Sequence, residues 1–372
     1  MHTELPLTTL VNIDTPAVLI ERSIMEKNIR TMRDLADRYH VNLRAHIKTH
    51  KIAELAKLQI KTGSVGIAVA KLGEAEVMAD AGIKDIQIAN IIVGVEKIKR
   101  LLKLHTKCQL SVAVDSFENA KELSRIFSKN GSCIDVLVKV NTGLNRCGFD
   151  SLDDIVQFFK KTSDLTGINV IGLMTHAGHA YAARTRDEIK AIGRSEGSTL
   201  VKYARHLKAL GYNIKLLSVG STPTARYCSK VKGVTELRVG NYIFNDMTQV
   251  SLGTVPVSRC ALTVLATVIS TPSKDRAIID AGSKAFGLDK GAHGRETLKG
   301  YGKIVGGSGV LSRLSEEHGI IENLTRRFKI GQKLRIIPNH ACTVMNLFDC
   351  AYMVDGPKII NRYDISARGK MS

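Results

Sequence analysis

The stretch Gln109–Asn141, QLSVAVDSFENAKELSRIFSKNGSCIDVLVKVN, holds one complete structural repeat. Leu110–Asp115 is a short apolar run, SFENAKELSRIFSKNG follows with apolar residues three and four apart, and Asp135–Asn141 is a second run. Strand, helix and strand in that order make a parallel unit whose helix covers the sheet. Ser116 is placed to cap this helix, as Ser151 is for SLDDIVQFFKKTSDLTG, and a glycine closes each segment. Working outward, strands are predicted at Asn42–Lys48, Val65–Ala70, Ile86–Asn90, Asn169–Thr175, Lys215–Val219 and Glu236–Gly240, with helical patterns such as KIAELAKLQIKTG and KLGEAEVMADAG between them. Eight such repeats predict an α/β fold with a closed (β/α)8 barrel of the TIM type, not an open doubly wound sheet.

After about residue 246 the texture changes. LTVLATVIS, RAIIDAG, GKIVG, KLRIIPN and MVDGPKIINRY are short, β-branched and separated by Gly, Pro and Asp, which predicts a C-terminal β-domain. The expected division is a barrel over 14–245 and a β-domain from 1–13 plus 246–372.

Composition narrows the function. With 44% hydrophobic and 24% charged residues in 372, the chain is an ordinary globular protein. No membrane span and no export signal are expected, which places it in the cytoplasm. The excess of 54 basic over 35 acidic residues is spread along the chain, aromatics are 5% and Trp is absent. Stacking platforms are therefore scarce, and no nucleic-acid partner is expected; the surface charge would instead attract anionic small molecules. Seven scattered Cys without a CxxC imply reduced thiols, so any metal site must use mixed ligands. No GxGxxG or GxxxxGK[ST] occurs.

In a barrel of this kind the chemistry gathers where the strands end. The first strand ends in Arg44-Ala-His46-Ile-Lys48-Thr-His50-Lys51. By alternation Arg44, His46 and Lys48 face inward, and a desolvated Lys among cations has a lowered pKa and becomes a nucleophilic amine. The competing reading is a Lys in an exposed loop just past the strand. At the seventh and eighth strand ends, Gly220-Ser221-Thr222-Pro-Thr224 and Gly240-Asn241-Tyr242 fit the usual phosphate site of the fold, although Gly, Ser and Asn also favour plain turns. A carbonyl-seeking Lys opposite a phosphate cup suggests pyridoxal phosphate.

The segments DTPAVLIE (14–21), RAHIKTHK (44–51), VNTGLNRCGF (140–149), GLMTHAG (172–178), SVGSTPT (218–224) and ELRVGNYIFND (236–246) together resemble the fold-type III pyridoxal-phosphate enzymes related to alanine racemase. Within them the chain looks like the D-threonine aldolase and D-serine dehydratase branch, from Asp14 to about Lys370. The resemblance implies Lys48 as the cofactor lysine and catalytic base, with Arg146 near the 3-hydroxyl side of the ring. It also implies His176 on or against the ring, where a satisfied core His is the bland alternative, and His46 among the cofactor contacts. His179 and Tyr181 would shape the substrate pocket, and Cys147 and Cys350 would be packing residues.

Pro338-Asn-His340-Ala-Cys342-Thr343 is read as an extended segment with His340 and Cys342 on one side. A lone HxC is more often structural; in the branch resembled, the matching pair binds a divalent cation. A thiolate ligand favours Zn²⁺ over Mn²⁺ or Mg²⁺. The implied activity is that of a pyridoxal-phosphate- and metal-dependent lyase acting on β-hydroxy D-amino acids, leaning to dehydration of D-serine or a D-3-hydroxy acid. Retro-aldol cleavage of D-threonine, racemisation, and a non-catalytic carrier of the cofactor are the alternatives. A homodimer is implied by resemblance alone.

Overall fold

The computed structural model describes residues 10–291, 296 and 298–372, so residues 1–9 of the expected 1–13 segment lie outside the described residues. The chain forms two compact units. One is Met32–Lys48, Leu55–Gly240 and Gly369–Ser372; the other is built from the chain up to Thr31, Thr49–Glu54 and Asn241–Arg368. The stretch 14–31, expected with the barrel, thus belongs to the second unit. Its strand β1 (Ala17–Glu21) is fully buried and pairs there.

The first unit is the barrel. Among the described residues, eight parallel strands close in sequence order: β2 (Asn42–His46), β3 (Ile67–Val69), β4 (Asp85–Ile91), β5 (Gln109–Val114), β6 (Ile134–Lys139), β7 (Ile168–Met174), β8 (Leu216–Val219) and β9 (Glu236–Val239). The ring closes where β2 pairs with β9, Arg44 opposite Arg238. Helices follow the strands. The Ser116 and Ser151 hydroxyls accept from the amides of Asn119 and Asp154, and so supply the expected caps to helices Phe117–Lys129 and Leu152–Thr162.

Alternation sends every second side chain inward. Ala113, Leu137 and Met174 form a small buried apolar cluster, and buried polar side chains of β2, β4, β8 and β9 form a hydrogen-bonded network. Arg44 donates to Glu236 at 2.7 Å and to Asp85 at 2.7 Å. Ser218 and Gln87 also donate to Glu236, and Arg238 donates to Ser218 at 2.6 Å and to the Thr175 carbonyl. A charged layer in a barrel core is tolerated only because each charge is bonded on several sides.

The first barrel strand is shorter than expected. It stops at His46, and Ile47–Thr49 is a 3-10 turn, so Lys48 does not share the inward face through strand alternation. Burial of Ile47 explains the break: the turn buries this apolar side chain completely.

Among the described residues, the second unit is a nine-stranded sheet. Its other strands are β10 (Leu262–Ser270), β11 (Ala277–Ile279), β12 (Gly302–Ile304), β13 (Val310–Leu314), β14 (Gly319–Glu322), β15 (Lys333–Pro338), β16 (Cys350–Asp355) and β17 (Lys358–Asp364). The order is β13-β14-β11-β10-β1-β16-β17, with β15 joined to β10 and β12. β1 sits between β10, antiparallel, and β16, parallel. Its residues Ala17–Ile20 are apolar on both faces because it is an interior strand.

Candidate active site

The barrel gathers one group of candidates. His46 ends β2, Lys48 lies in the turn after it, and His176 lies just past β7, its Nδ1 3.1 Å from the Gly220 carbonyl. Burial, then the Lys48 charge and that of Arg238, hold His46 and His176 well below the ordinary histidine range. Both rings are therefore neutral at pH 7, and the Lys48 ammonium lies close enough to act strongly on each. Lys48 is half-buried and its charge acts on both rings, as it would not from an exposed loop.

Arg146 is exposed, yet its charge acts on His176, Arg238 and Lys139, and it lines a small cavity with Lys139, Asn141, Cys147 and His176. Cys147, expected only to pack, hydrogen-bonds the Lys139 side chain, whose pKa burial lowers. His179 and Tyr181 lie in the 3-10 turn Gly178–Ala182, and burial lowers the pKa of His179. A Cβ at Gly143 would stand 3.0 Å from the His179 ring, so that loop and the ring are in contact.

Ser221 and Thr222 follow β8 directly and are 2% and 5% exposed. Gly220 before them has φ +115°, a left-handed geometry that favours glycine and turns the chain sharply at the strand end. Gly240 closes β9. Asn241 and Tyr242, in the sheet unit, form a buried 3-10 turn. The Asn241 side-chain amide nitrogen donates one of its two hydrogens to Asp246 at 2.6 Å.

The sheet unit holds the other group. The HxC segment is not extended, as expected from the sequence: His340 caps the helix Ala341–Leu347, and Cys342 is that helix's second residue. The two side chains nevertheless meet, the Cys342 thiol bonding to His340. The Asp289 carboxylate takes the other side of the ring, 2.7 Å from His340 Nδ1, and accepts from Thr343 at 2.6 Å. Burial works against charge on His340, but the bonds from Asp289 and Cys342 outweigh it and push the pKa up to about 10.

With one ring nitrogen held by a carboxylate, the other nitrogen and the nearby thiol form a suitable donor pair for a cation. Among the described residues no group of three or more His, Cys, Asp or Glu is arranged to hold a metal ion. Thr49 Oγ1 lies 3.3 Å from Cys342 Sγ. Buried Asp246 accepts from the Ala341 amide between the two candidate ligands.

Comparison with known proteins places this geometry. Residues 20–247 match the alanine racemase N-terminal domain family, and residues 261–354 match the serine dehydratase domain. The chain belongs to the alanine racemase N-terminal domain family. It is 34% identical to the D-threo-3-hydroxyaspartate dehydratase of Delftia sp., covering 90% of this chain and 92% of that one. It is 33% identical to the D-threonine aldolase of Arthrobacter sp., over 98% and 95% of the two chains. It is 31% identical to the D-serine dehydratase of Dictyostelium discoideum, over 95% and 96%.

The solved Delftia dehydratase superposes with a TM-score of 0.90 at 32% identity, over 96% of this chain and 98% of that one. A cysteine-to-alanine variant of that enzyme was solved in a metal-free form. The chain is accordingly a pyridoxal-phosphate-dependent lyase.

Sequence reasoning missed Arg238, Glu196, Asp289 and Lys139. Alternation in Glu236-Leu-Arg238-Val-Gly240 could have found Arg238 as an inward-facing cation. Nothing local marks Glu196 or Asp289, whose partners lie 28 and 51 residues away.

Proposed function

We propose that the chain is a metal-assisted dehydratase of β-hydroxy D-amino acids, taking D-serine or a related D-3-hydroxy acid to a 2-oxo acid and ammonia. The relatives' identities are too even to choose between dehydration and aldol cleavage. The choice rests on Cys342 beside His340: a thiolate ligand favours Zn²⁺, which can stabilise a departing hydroxide without redox chemistry.

The residues present fit the cofactor. Lys48 would bind it through its amine; His46, His176 and Arg146 would surround the ring; Ser221, Thr222 and the backbone of Gly240, Asn241 and Tyr242 would receive the phosphate. When bound, pyridoxal phosphate supplies a carbonyl for the substrate amine and an electron sink for the pair left at Cα. The Lys48 amine is the base that takes the Cα proton, and His46 and His176, whose pKa values are held well below the ordinary histidine range, are too weakly basic to compete for it. His340 and Cys342 would hold the divalent cation, which supplies Lewis acidity to an oxygen. His179 and Tyr181 are assigned to the substrate pocket. We further propose that the barrel unit carries the cofactor lysine and the sheet unit the metal ligands, in a cytoplasmic homodimer. No helix among the described residues is long and apolar enough to cross a membrane.

The deciding experiment supplies D-serine and D-threonine separately with pyridoxal phosphate and Zn²⁺, then Mn²⁺. Pyruvate and ammonia from D-serine support the proposal. Glycine and acetaldehyde from D-threonine, with no pyruvate from D-serine, would establish the aldolase reading in its place. Sedimentation of the purified protein tests the dimer.

A further inference from the structure

We propose that Glu196 is a proton-holding positioning residue behind the phosphate end of the cofactor site, so that the phosphate-bearing cofactor binds with uptake of a proton on this carboxyl and loads less well as pH rises. The inference rests on the reading that Ser221 and Thr222 receive the phosphate.

Glu196 is fully buried in the helix Arg186–Ala209, with its carboxyl against the loop that follows β8. Oε1 lies 2.6 Å from Thr224 Oγ1, and Oε2 accepts from the Gly220 amide at 3.3 Å. Thr224 Oγ1 in turn accepts from the Ser221 amide at 3.1 Å and lies 2.9 Å from Ser221 Oγ. Glu196, Thr224 and Ser221 are thus one chain of hydrogen bonds ending at the residue placed for the phosphate.

A hydroxyl has one hydrogen and two lone pairs, so the chain has two self-consistent settings. With Glu196 ionised, Thr224 gives its hydrogen to the carboxylate and accepts from both the amide and the hydroxyl of Ser221. Ser221 then keeps its hydrogen on Thr224, or on the Ala177 carbonyl 3.5 Å away, and offers an anion its lone pairs. With Glu196 protonated, the acid donates to Thr224, Thr224 donates to Ser221 Oγ, and the Ser221 hydrogen is free to point outward. The second setting presents a donor to phosphate while keeping the Ser221–Thr224 bond, and it avoids a buried like charge behind the phosphate; the first must give up that bond to do so.

The titratable and charged groups facing Glu196 are the Cys228 thiol, which bonds to it from the Ala225–Cys228 turn, and the Arg238 guanidinium of β9. Burial pushes the Glu196 carboxyl pKa up, and burial likewise keeps the Cys228 thiol protonated at neutral pH. A dianion bound at Ser221 raises the Glu196 pKa further.

The test uses cofactor-stripped full-length protein, with pyridoxamine 5′-phosphate and pyridoxamine as ligands, neither of which needs the Lys48 linkage. In Glu196→Gln the amide donates to Thr224 as the neutral acid does, at every pH. The ratio of wild-type to variant Kd for pyridoxamine 5′-phosphate should widen with pH, approaching about tenfold per pH unit above the Glu196 pKa. For pyridoxamine the ratio should stay flat. A ratio independent of pH overturns the inference while leaving the cofactor reading intact. If neither protein binds pyridoxamine 5′-phosphate, the cofactor reading itself fails and the inference with it.

Should the variant not fold, calorimetry of the wild type in two buffers of different ionisation enthalpy still decides. At about pH 8, where the ligand phosphate is fully ionised, binding the phosphate-bearing ligand should take up more protons than binding pyridoxamine. Equal uptake overturns the proposal.

Discussion

Arg44→Met tests whether the polar barrel core is held by mutual charge satisfaction. Glu236 is 1% exposed and Asp85 34%, so the substitution strands the first carboxylate and lets the second rehydrate. Breaking a buried pair from one side costs about 3–5 kcal/mol, whereas a half-exposed partner adds little. Ser218 and Gln87 still donate to Glu236, which places the loss near the lower end, about 3 kcal/mol. For a barrel unit of roughly 200 residues this lowers Tm by about 6–12 °C. Adding Glu236→Gln removes the stranded charge, and the double variant should regain at least about 2 kcal/mol, seen as a coupling energy in a double-mutant cycle. Scanning calorimetry and urea unfolding of cofactor-free protein measure both. A single-variant loss under about 1 kcal/mol, or a double variant no more stable than the single, refutes the reasoning.

Borohydride reduction of the loaded protein followed by peptide mass spectrometry should find the adduct on Lys48; an adduct on Lys51 or Lys139 would overturn that assignment. His340→Ala and Cys342→Ala should each lower bound metal, read by elemental analysis, and abolish turnover while cofactor uptake persists; unchanged metal content would remove the pair from the site. Because His46 and His176 are held neutral when folded but titrate at about 6.5 when unfolded, the unfolded chain binds more protons below that pH. Cofactor-free protein should therefore lose Tm as pH falls through about 6.5, and His176→Gln should lessen the loss; a Tm that rises on acidification would contradict it.

Much of the fold is written in local sequence. The repeat Gln109–Asn141 predicts strand, capped helix and strand because apolar spacing and Ser caps act over a few residues, and Ser151 caps the next helix in the same way. Motif chemistry likewise marks Lys48, His176, Ser221 and the His340–Cys342 pair. The errors lie where local and distant demands compete. Alternation would have carried β2 on to Lys48, but the chain turns after His46 and buries Ile47. The HxC segment reads as extended, yet His340 caps a helix and Asp289 orients it.

What the sequence alone determined, then, is the order and type of the elements and the residue types available for chemistry. Tertiary structure alone decided which charges share a site. Arg44 and Glu236 are 192 residues apart, and His340 and Asp289 are 51 apart. No local periodicity encodes such a pairing. In the barrel it forms when β9 returns to β2 and closes the ring, and there burial makes each charge depend on its partner.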